Sequence, residues 1–224
     1  MSVAEDLRQA NHAALADFVE HPFFVRAGQG TLTPGERDAY FHFEHDFVEQ
    51  AVTVFGHILV KAPDSAARTH LVQILHGLTT DQAELFATLL RRTGPAPPPP
   101  WPEAVSAFRN GMTRIAADGA YHEGLAAMLA AEWTYARVST QLMEQGLHDT
   151  LLRDWFALHT EEGFLRGVAW IEAELDRHVR TAAQFTEASA AFAQAVVLEI
   201  AFHSAALNRS ETGQDARLGE GDGR

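Results

Sequence analysis

The sequence predicts an all-α protein, a bundle of about seven helices. Three observations lead there. Apolar residues recur at three- and four-residue spacing over most of the chain. Glycine and proline gather at a few breaks, while alanine, leucine and glutamate fill the stretches between them. No stretch alternates apolar, β-branched residues with polar ones as a half-buried strand would.

Each element has a local reason. Ser2 is placed to cap a first helix that carries Leu7, Ala14, Leu15 and Phe18. The segment HPFFVRAGQGTLTP (21–34) holds Pro22, Gly28, Gly30 and Pro34 and reads as a loop with one helical turn. A long helix is expected from about Pro34, a proline at the first helical position, to Lys61, where APD (62–64) ends it. Another runs from about Ser65 to Arg92, kinked at Gly77. The proline run GPAPPPPWP (94–102) is an extended, stiff connector. Helices follow at about 102–117, 120–145, 149–181 with a bend near Gly163, and 186–208 with Thr186 as cap. One domain therefore spans 1–208, and the polar, glycine-rich tail 209–224 is expected to be disordered.

Composition excludes several functions. The chain has 224 residues, 17 Lys+Arg against 30 Asp+Glu, and a formal charge of −13. Such a chain repels phosphates, and its only lysine is Lys61, so neither nucleic acid nor an anionic membrane is an expected partner. No uncharged apolar run of about 18 residues is present, so no membrane span is expected. The N-terminus MSVAEDLRQA has acids where a secretory signal is basic and then apolar, which favours a cytoplasmic protein. Cysteine is absent, which removes disulfides, thiolate metal sites and thiol nucleophiles together.

Function in a helical bundle sits where polar side chains project into the core. The stripe on the helix 34–61 reads Tyr40, Phe43, Glu44, Phe47, Ala51, Val54 and Ile58, with Glu44 the odd member. The stripe at 120–145 reads Leu125, Met128, Leu129, Glu132, Tyr135, Ala136 and Ser139, where Glu132 stands out. On the last helix Glu199 and His203, four apart, share a face with Phe192, Val196 and Phe202. Trp155, His159 and Glu162 mix aromatic and ionisable groups on the helix after 149. A buried carboxylate needs a partner or a raised pKa. Two site chemistries fit these residues. One is a pocket for a polar aromatic ligand with carboxylates as acceptors and proton shuttles. The other is a carboxylate/histidine metal site built from Glu44, Glu132, His159, Glu162, Glu199 and His203, although the paired Glu-x-x-His spacing of ferritin-like sites is missing.

The order of these pieces resembles the TenA family, also called thiaminase II or aminopyrimidine aminohydrolase. The resemblance is carried by HPFFVRAGQGTLTPGERDAYFHFEHDF (21–47), LVKAPD (59–64), GLAAMLAAEWTYARV (124–138) and Glu199. It implies a haem-oxygenase-like fold. It places the family's pyrimidine-binding aspartate at Glu44, one methylene longer, and a pocket tyrosine at Phe47. A second pocket tyrosine falls near Phe108 and a late one at His159. The nucleophilic cysteine falls on Ala131, which cannot attack anything, and the proton-shuttling glutamate is kept at Glu199. Glu44 and Glu199 are then the expected catalytic pair, with Phe47, Phe108, Ala131, Glu132, Tyr135, His159 and His203 around the ligand.

The implied activity is hydrolysis of an aminopyrimidine or related thiamin fragment without covalent catalysis and without a cofactor. The substrate would be a small N-heterocycle, and the protein a homo-oligomer, dimer or tetramer, by resemblance. Two alternatives stand beside it. A di-iron or di-manganese oxidase would use Glu44, Glu132, His159, Glu199 and His203, because the fold hosts such oxidases. A non-catalytic small-molecule-binding protein would use the same scaffold without turnover.

Overall fold

The computed structural model describes residues 2–207, and among these every regular element is helical. The predicted tail at 209–224 lies outside the described residues. The helices are α1 (Val3–Ala10), α2 (His12–Val19), α3 (Pro22–Gln29), α4 (Pro34–Lys61), α5 (Ser65–Gly77), α6 (Ala83–Leu90), α7 (Glu103–Asp118), α8 (Tyr121–Glu144), α9 (Thr150–Leu158), α10 (Glu162–His178) and α11 (Ala182–Leu207). A π-helical turn, Leu78–Gln82, joins α5 to α6.

The seven predicted stretches become eleven helices for identifiable reasons. Ser2 Oγ caps the first by accepting from the Glu5 amide at 3.2 Å. That helix breaks at Asn11, whose side-chain amide donates to the Leu7 carbonyl at 2.8 Å and competes with the helical ladder. The segment expected to be mostly loop is the two-turn α3. His21 Nδ1 accepts from the Phe23 amide, Pro22 starts the helix, and Gly30 closes it at φ 67°. Gly28, one of the two glycines that argued for a break, is inside α3. A Cβ there would lie 3.2 Å from a Leu142 methyl and 2.6 Å from Gln145 Oε1, so this glycine permits close approach to α8.

Helix α4 has the predicted bounds. Thr33 and Glu36 form a reciprocal capping box, and the Arg26 guanidinium grips Glu36 at 2.6 and 2.7 Å. At its other end Lys61 donates to the carbonyls of Ala116 and Ala117, both at 2.7 Å, and of Gly119, which stops α7. Gly77 is helical, and the irregularity falls just after it, in the π turn. There Thr79 and Thr80 hydroxyls donate to the Leu75 and His76 carbonyls. The chain between α9 and α10 breaks at His159–Glu161, before Gly163. Helix α11 starts earlier than expected because Thr181 and Gln184 cap it reciprocally. Thr186 is inside it, donating to the Ala182 carbonyl.

Helix α11 packs chiefly on α8 and α7, and α4 completes the group that surrounds the core. By length and composition α11 could cross a membrane, but half of its most apolar stretch is buried inside the bundle. Phe18, Phe23, Phe24 and Phe202 surround His203, with ring centroids 4.6–5.5 Å from it. The Pro-rich connector is non-helical as expected, and Trp101 folds back on it through an indole bond to the Pro97 carbonyl.

Candidate functional site

Five helices and the π turn converge on one cavity of about 40 Å³. From α4 come Glu44, Phe47, Val48 and Ala51; from α8, Met128, Ala131, Glu132 and Tyr135. Glu199 enters from α11, Trp155 and His159 from α9 and its C-terminus, Phe164 from α10, and Leu78 and Gln82 from the π turn. The periodicity of each helix explains the convergence. Glu44 and Phe47 are three apart, as are Met128 and Ala131, and Glu132 and Tyr135, so each pair occupies one face. A larger cavity of about 250 Å³ adjoins it and shares Leu78, Gln82, Glu132 and Phe164 as walls. Its other walls include Asp81 and Glu161 and no lysine, arginine or histidine.

The carboxyl groups are held in different ways. Glu44 is 3 % exposed, and the Tyr135 hydroxyl lies 2.7 Å from its Oε2. The Tyr40 hydroxyl is 3.1 Å from that of Tyr135 and accepts from the Trp155 indole at 2.8 Å. Glu199 is 1 % exposed, and neither of its carboxyl oxygens has a hydrogen-bond partner within the protein. An orphaned buried carboxyl of this kind is costly to hold in a folded chain. Glu132 retains partial exposure because it borders both cavities.

Burial governs the electrostatics. It raises Glu44 to about 7 against the opposing hydrogen bonds from Tyr135 and Tyr40. Glu132 also rises to about 7, through burial and then the repulsion of Glu44. Glu199 goes well above the ordinary carboxylate range, through burial and the two neighbouring carboxylates. His159 and His203 move the other way, to about 4 and about 3, because burial disfavours their cations. Three carboxyls that resist ionising together near neutral pH form a reservoir of protons in an apolar setting.

The structure gathers seven of the nine predicted site residues around the cavity: Glu44, Phe47, Ala131, Glu132, Tyr135, His159 and Glu199. The other two stand one layer behind. Phe108 does not reach the cavity; its ring packs 4.1 Å from that of Phe47 and 4.9 Å from Phe202. His203 is fully buried behind Tyr135, with Nε2 3.2 Å from the phenol oxygen. Sequence reading did not assign a site role to Tyr40, Trp155, Leu78, Gln82 or Phe164. Tyr40 and Trp155 each precede a selected residue, Glu44 and His159, by one helical turn, a spacing that pointed to them.

As arranged, the predicted metal ligands are not gathered into one ready set. Both nitrogens of His203 are engaged, Nδ1 donating to the Glu199 carbonyl at 2.8 Å and Nε2 facing Tyr135. His159 Nδ1 donates to the Trp155 carbonyl. Glu162 is on the surface, paired with Arg166 at 2.5 Å. Among the described residues, the grouping whose ligand atoms lie mutually within 4.8 Å is His122, Glu123 and Glu187. It contains none of the six predicted ligands. His122 pairs with Glu187 there, and Glu123 caps α8 through the Ala120 amide.

Fold and site together define an all-α bundle of haem-oxygenase-like fold, which here closes around a carboxyl cluster. The chain belongs to the TENA/THI-4/PQQC family, which it matches over residues 9–209. It is 28% identical over 177 residues to the thiamine biosynthesis multifunctional protein ThiED of Corynebacterium efficiens, covering 75% of this chain and 24% of that protein. The ThiED protein of Corynebacterium glutamicum is 26% identical over 208 residues, covering 92% and 27%. The chain thus spans about a quarter of the length of these curated relatives. A TenA homologue from P. horikoshii OT3 superposes with a TM-score of 0.82 at 20% identity, covering 93% of this chain and 99% of that one. A Shewanella denitrificans domain of unknown function with a heme oxygenase-like fold superposes at 0.76 with 13% identity, covering 94% of each. The chain is a TenA-family member without cysteine, and Ala131 lines the cavity.

Proposed function

We propose that this chain hydrolyses a C–N bond of an aminopyrimidine or a related thiamin fragment. The observation that carries the reading is that Glu44 and Glu199 border one cavity, with neither Glu199 oxygen hydrogen-bonded within the protein. Family membership supports it, as do the thiamine biosynthesis proteins among the relatives. A Sulfolobus solfataricus neighbour, described as a putative TenA-like thiaminase, shares the fold at TM-score 0.73 and 18% identity, covering 92% of this chain and 95% of that one.

With alanine at position 131 no side chain there can attack, so water is the nucleophile. Glu199 takes a proton from that water as its oxygen bonds to the ring carbon. It then returns the proton to the exocyclic nitrogen as the C–N bond breaks and the amine leaves. Glu44 holds the ring nitrogen and the amine, and Glu132 sets the potential at the mouth between the two cavities. Burial raises Glu199 well above the ordinary carboxylate range, which makes its carboxylate a stronger base toward that water.

The test is amine release from aminopyrimidine substrates by wild type and Glu199→Gln. Wild-type turnover with a loss of about 100-fold or more in the variant is expected. Turnover in neither protein removes the reading. Equal turnover in both removes the role of Glu199. Thermal stabilisation by the same compounds without amine release would assign the cavity to binding alone.

A further inference from the structure

The cavity's rear wall presents a problem in counting protons. The Tyr135 oxygen makes three contacts: Glu44 Oε2 at 2.7 Å, the Tyr40 oxygen at 3.1 Å and His203 Nε2 at 3.2 Å. Each needs one hydrogen between the two heavy atoms. Tyr40 can supply at most one, because the Trp155 indole donates to its oxygen and its single hydroxyl proton serves either Tyr135 or Glu44. Tyr135 supplies a second. The third must come from Glu44 as a carboxylic acid or from His203 as an imidazolium.

His203 cannot change tautomer to solve this. Its Nδ1 lies 2.8 Å from the Glu199 main-chain oxygen, which only accepts, so Nδ1 carries a proton in every state. The groups are 3 %, 7 % and 0 % exposed for Glu44, Tyr135 and His203, so their contacts with one another dominate their surroundings.

We infer that Glu44, Tyr135 and His203 form a relay holding one transferable proton, which sits on Glu44 or on His203 and moves through the Tyr135 hydroxyl. In the forward step the Glu44 O–H bond breaks and a new O–H bond forms at Tyr135. The former Tyr135 O–H bond breaks and an N–H bond forms at His203 Nε2. The products are a Glu44 carboxylate and a His203 imidazolium, and net charge is unchanged. At rest the proton is on Glu44, since burial raises that carboxyl and holds the imidazole neutral. His203 is a positioning residue here: it does not line the cavity and acts on it through Tyr135.

Every ionisable group facing the relay bears on its pH response. On α4 these are Tyr40 and Glu44 themselves. Glu132 and Tyr135 face it from α8, His159 lies 5.0 Å from the Tyr135 ring, and Glu199 Oε2 is 3.7 Å from His203 Nδ1. His21, ahead of α3, has its ring 6.1 Å from that of His203 and is bonded to Ser204. The carboxyls disfavour a Glu44 carboxylate, and His21, if charged, disfavours the imidazolium. Use of the relay in turnover rests on the proposed hydrolysis, but its existence does not.

The experiment is nitrogen NMR on protein labelled at the histidine rings, with His203 assigned by its loss in His203→Gln. In wild type, below pH 7, His203 is expected to be neutral with its proton on Nδ1 and a hydrogen-bonded, unprotonated Nε2. When Glu44 loses its proton to solvent at higher pH, the Tyr135 proton turns toward the carboxylate and the Nε2 signal moves to that of a nitrogen without a partner; when the proton passes to His203 instead, Nε2 takes the shift of a protonated nitrogen. Glu44→Gln gives Tyr135 a permanent amide donor, so Nε2 stays bonded at all pH. Tyr135→Phe leaves Nε2 unpartnered at all pH. A wild-type Nε2 signal that ignores pH between 5 and 9, or one that responds equally in both variants, overturns the relay. Either result leaves the amine-release assay, and hence the hydrolase reading, standing.

Discussion

Glu44 and Glu199 border the same cavity from α4 and α11, yet Glu44 lies 2.7 Å from a phenol while Glu199 accepts no hydrogen bond from the protein. The asymmetry divides their capabilities. Glu44 is oriented and can only hand its proton along fixed directions. Glu199 is unconstrained and meets whatever enters.

The carboxyl cluster should make the protein less stable as pH rises toward neutrality and beyond. Glu44, Glu132 and Glu199 all have folded pKa values raised above the unfolded value. Their stabilising contribution is therefore complete below about pH 4.5; that of Glu44 and Glu132 is lost as pH rises through about 7, and that of Glu199, raised further by burial, is lost at higher pH. A single carboxyl moved that far corresponds to at most about 3 kcal/mol by linkage. Tm should be highest near pH 5 and fall toward pH 8, and Glu44→Gln or Glu132→Gln should flatten the curve. Asp64 and Asp149, whose pKa values are lowered, act only below roughly pH 4, outside this window. A Tm that rises from pH 5 to 8 contradicts the buried cluster.

Ala131→Cys would place the chain's only thiol in the cavity wall. The position is 5 % exposed, so a bulky thiol reagent should react at least tenfold more slowly there than with a cysteine at exposed Val197. Amine release should increase over wild type if the thiol reaches the ring. Equal labelling rates at the two positions would show that residue 131 is not enclosed.

Phe47 and Phe108 have the same composition and different burdens. Phe108→Ala removes a ring packed between Phe47 and Phe202, and should cost about 3–5 kcal/mol in chemical unfolding. Phe108→Tyr should cost about 1–3 kcal/mol, because its hydroxyl arrives without a partner. Phe47→Tyr should cost less than Phe108→Tyr, since Phe47 borders the cavity, where a hydroxyl can meet water or ligand. Reversal of the two tyrosine variants would place the cavity on the wrong side of Phe47.

Lys61→Met leaves the end of α7 without its ammonium. A loss of about 1–2 kcal/mol is expected, roughly 2–8 °C in Tm. Lys61→Arg should recover part of it. Unchanged melting in Lys61→Met would mean that water replaces the cap without cost.

Much of this was legible in the sequence because carboxylates on apolar stripes are conspicuous. Glu44, Glu132 and Glu199 stood out by periodicity alone, and their helices keep the expected phase. Helix boundaries were read well where the capping chemistry is simple, as at Thr33–Pro34, and poorly where a glycine serves packing, as at Gly28. Phe108 and Glu162 show the limit. Periodicity gives the face of a helix but not the depth at which that face meets its neighbours, so Glu162 fell outside the bundle, and Phe108, placed at the pocket by family resemblance, fell one layer behind the cavity. The partnering of Tyr40, Trp155 and His203 depends on distances between helices far apart in sequence, which no local pattern encodes.

The π turn at Leu78–Gln82 carries a consequence for how this cavity can change through descent. A π turn is an α-helix with one residue too many, and an α-helix advances about 100° per residue. Deleting a single codon within 78–82 would let the helix run regularly and swing everything after it, α6 included, by that angle. Leu78 and Gln82, shared walls of both chambers, could not then both keep their places. A relative lacking that one residue would present a differently shaped chamber while keeping every carboxyl, so the substrate range of such a lineage can shift by a length change that leaves its ionisable residues untouched.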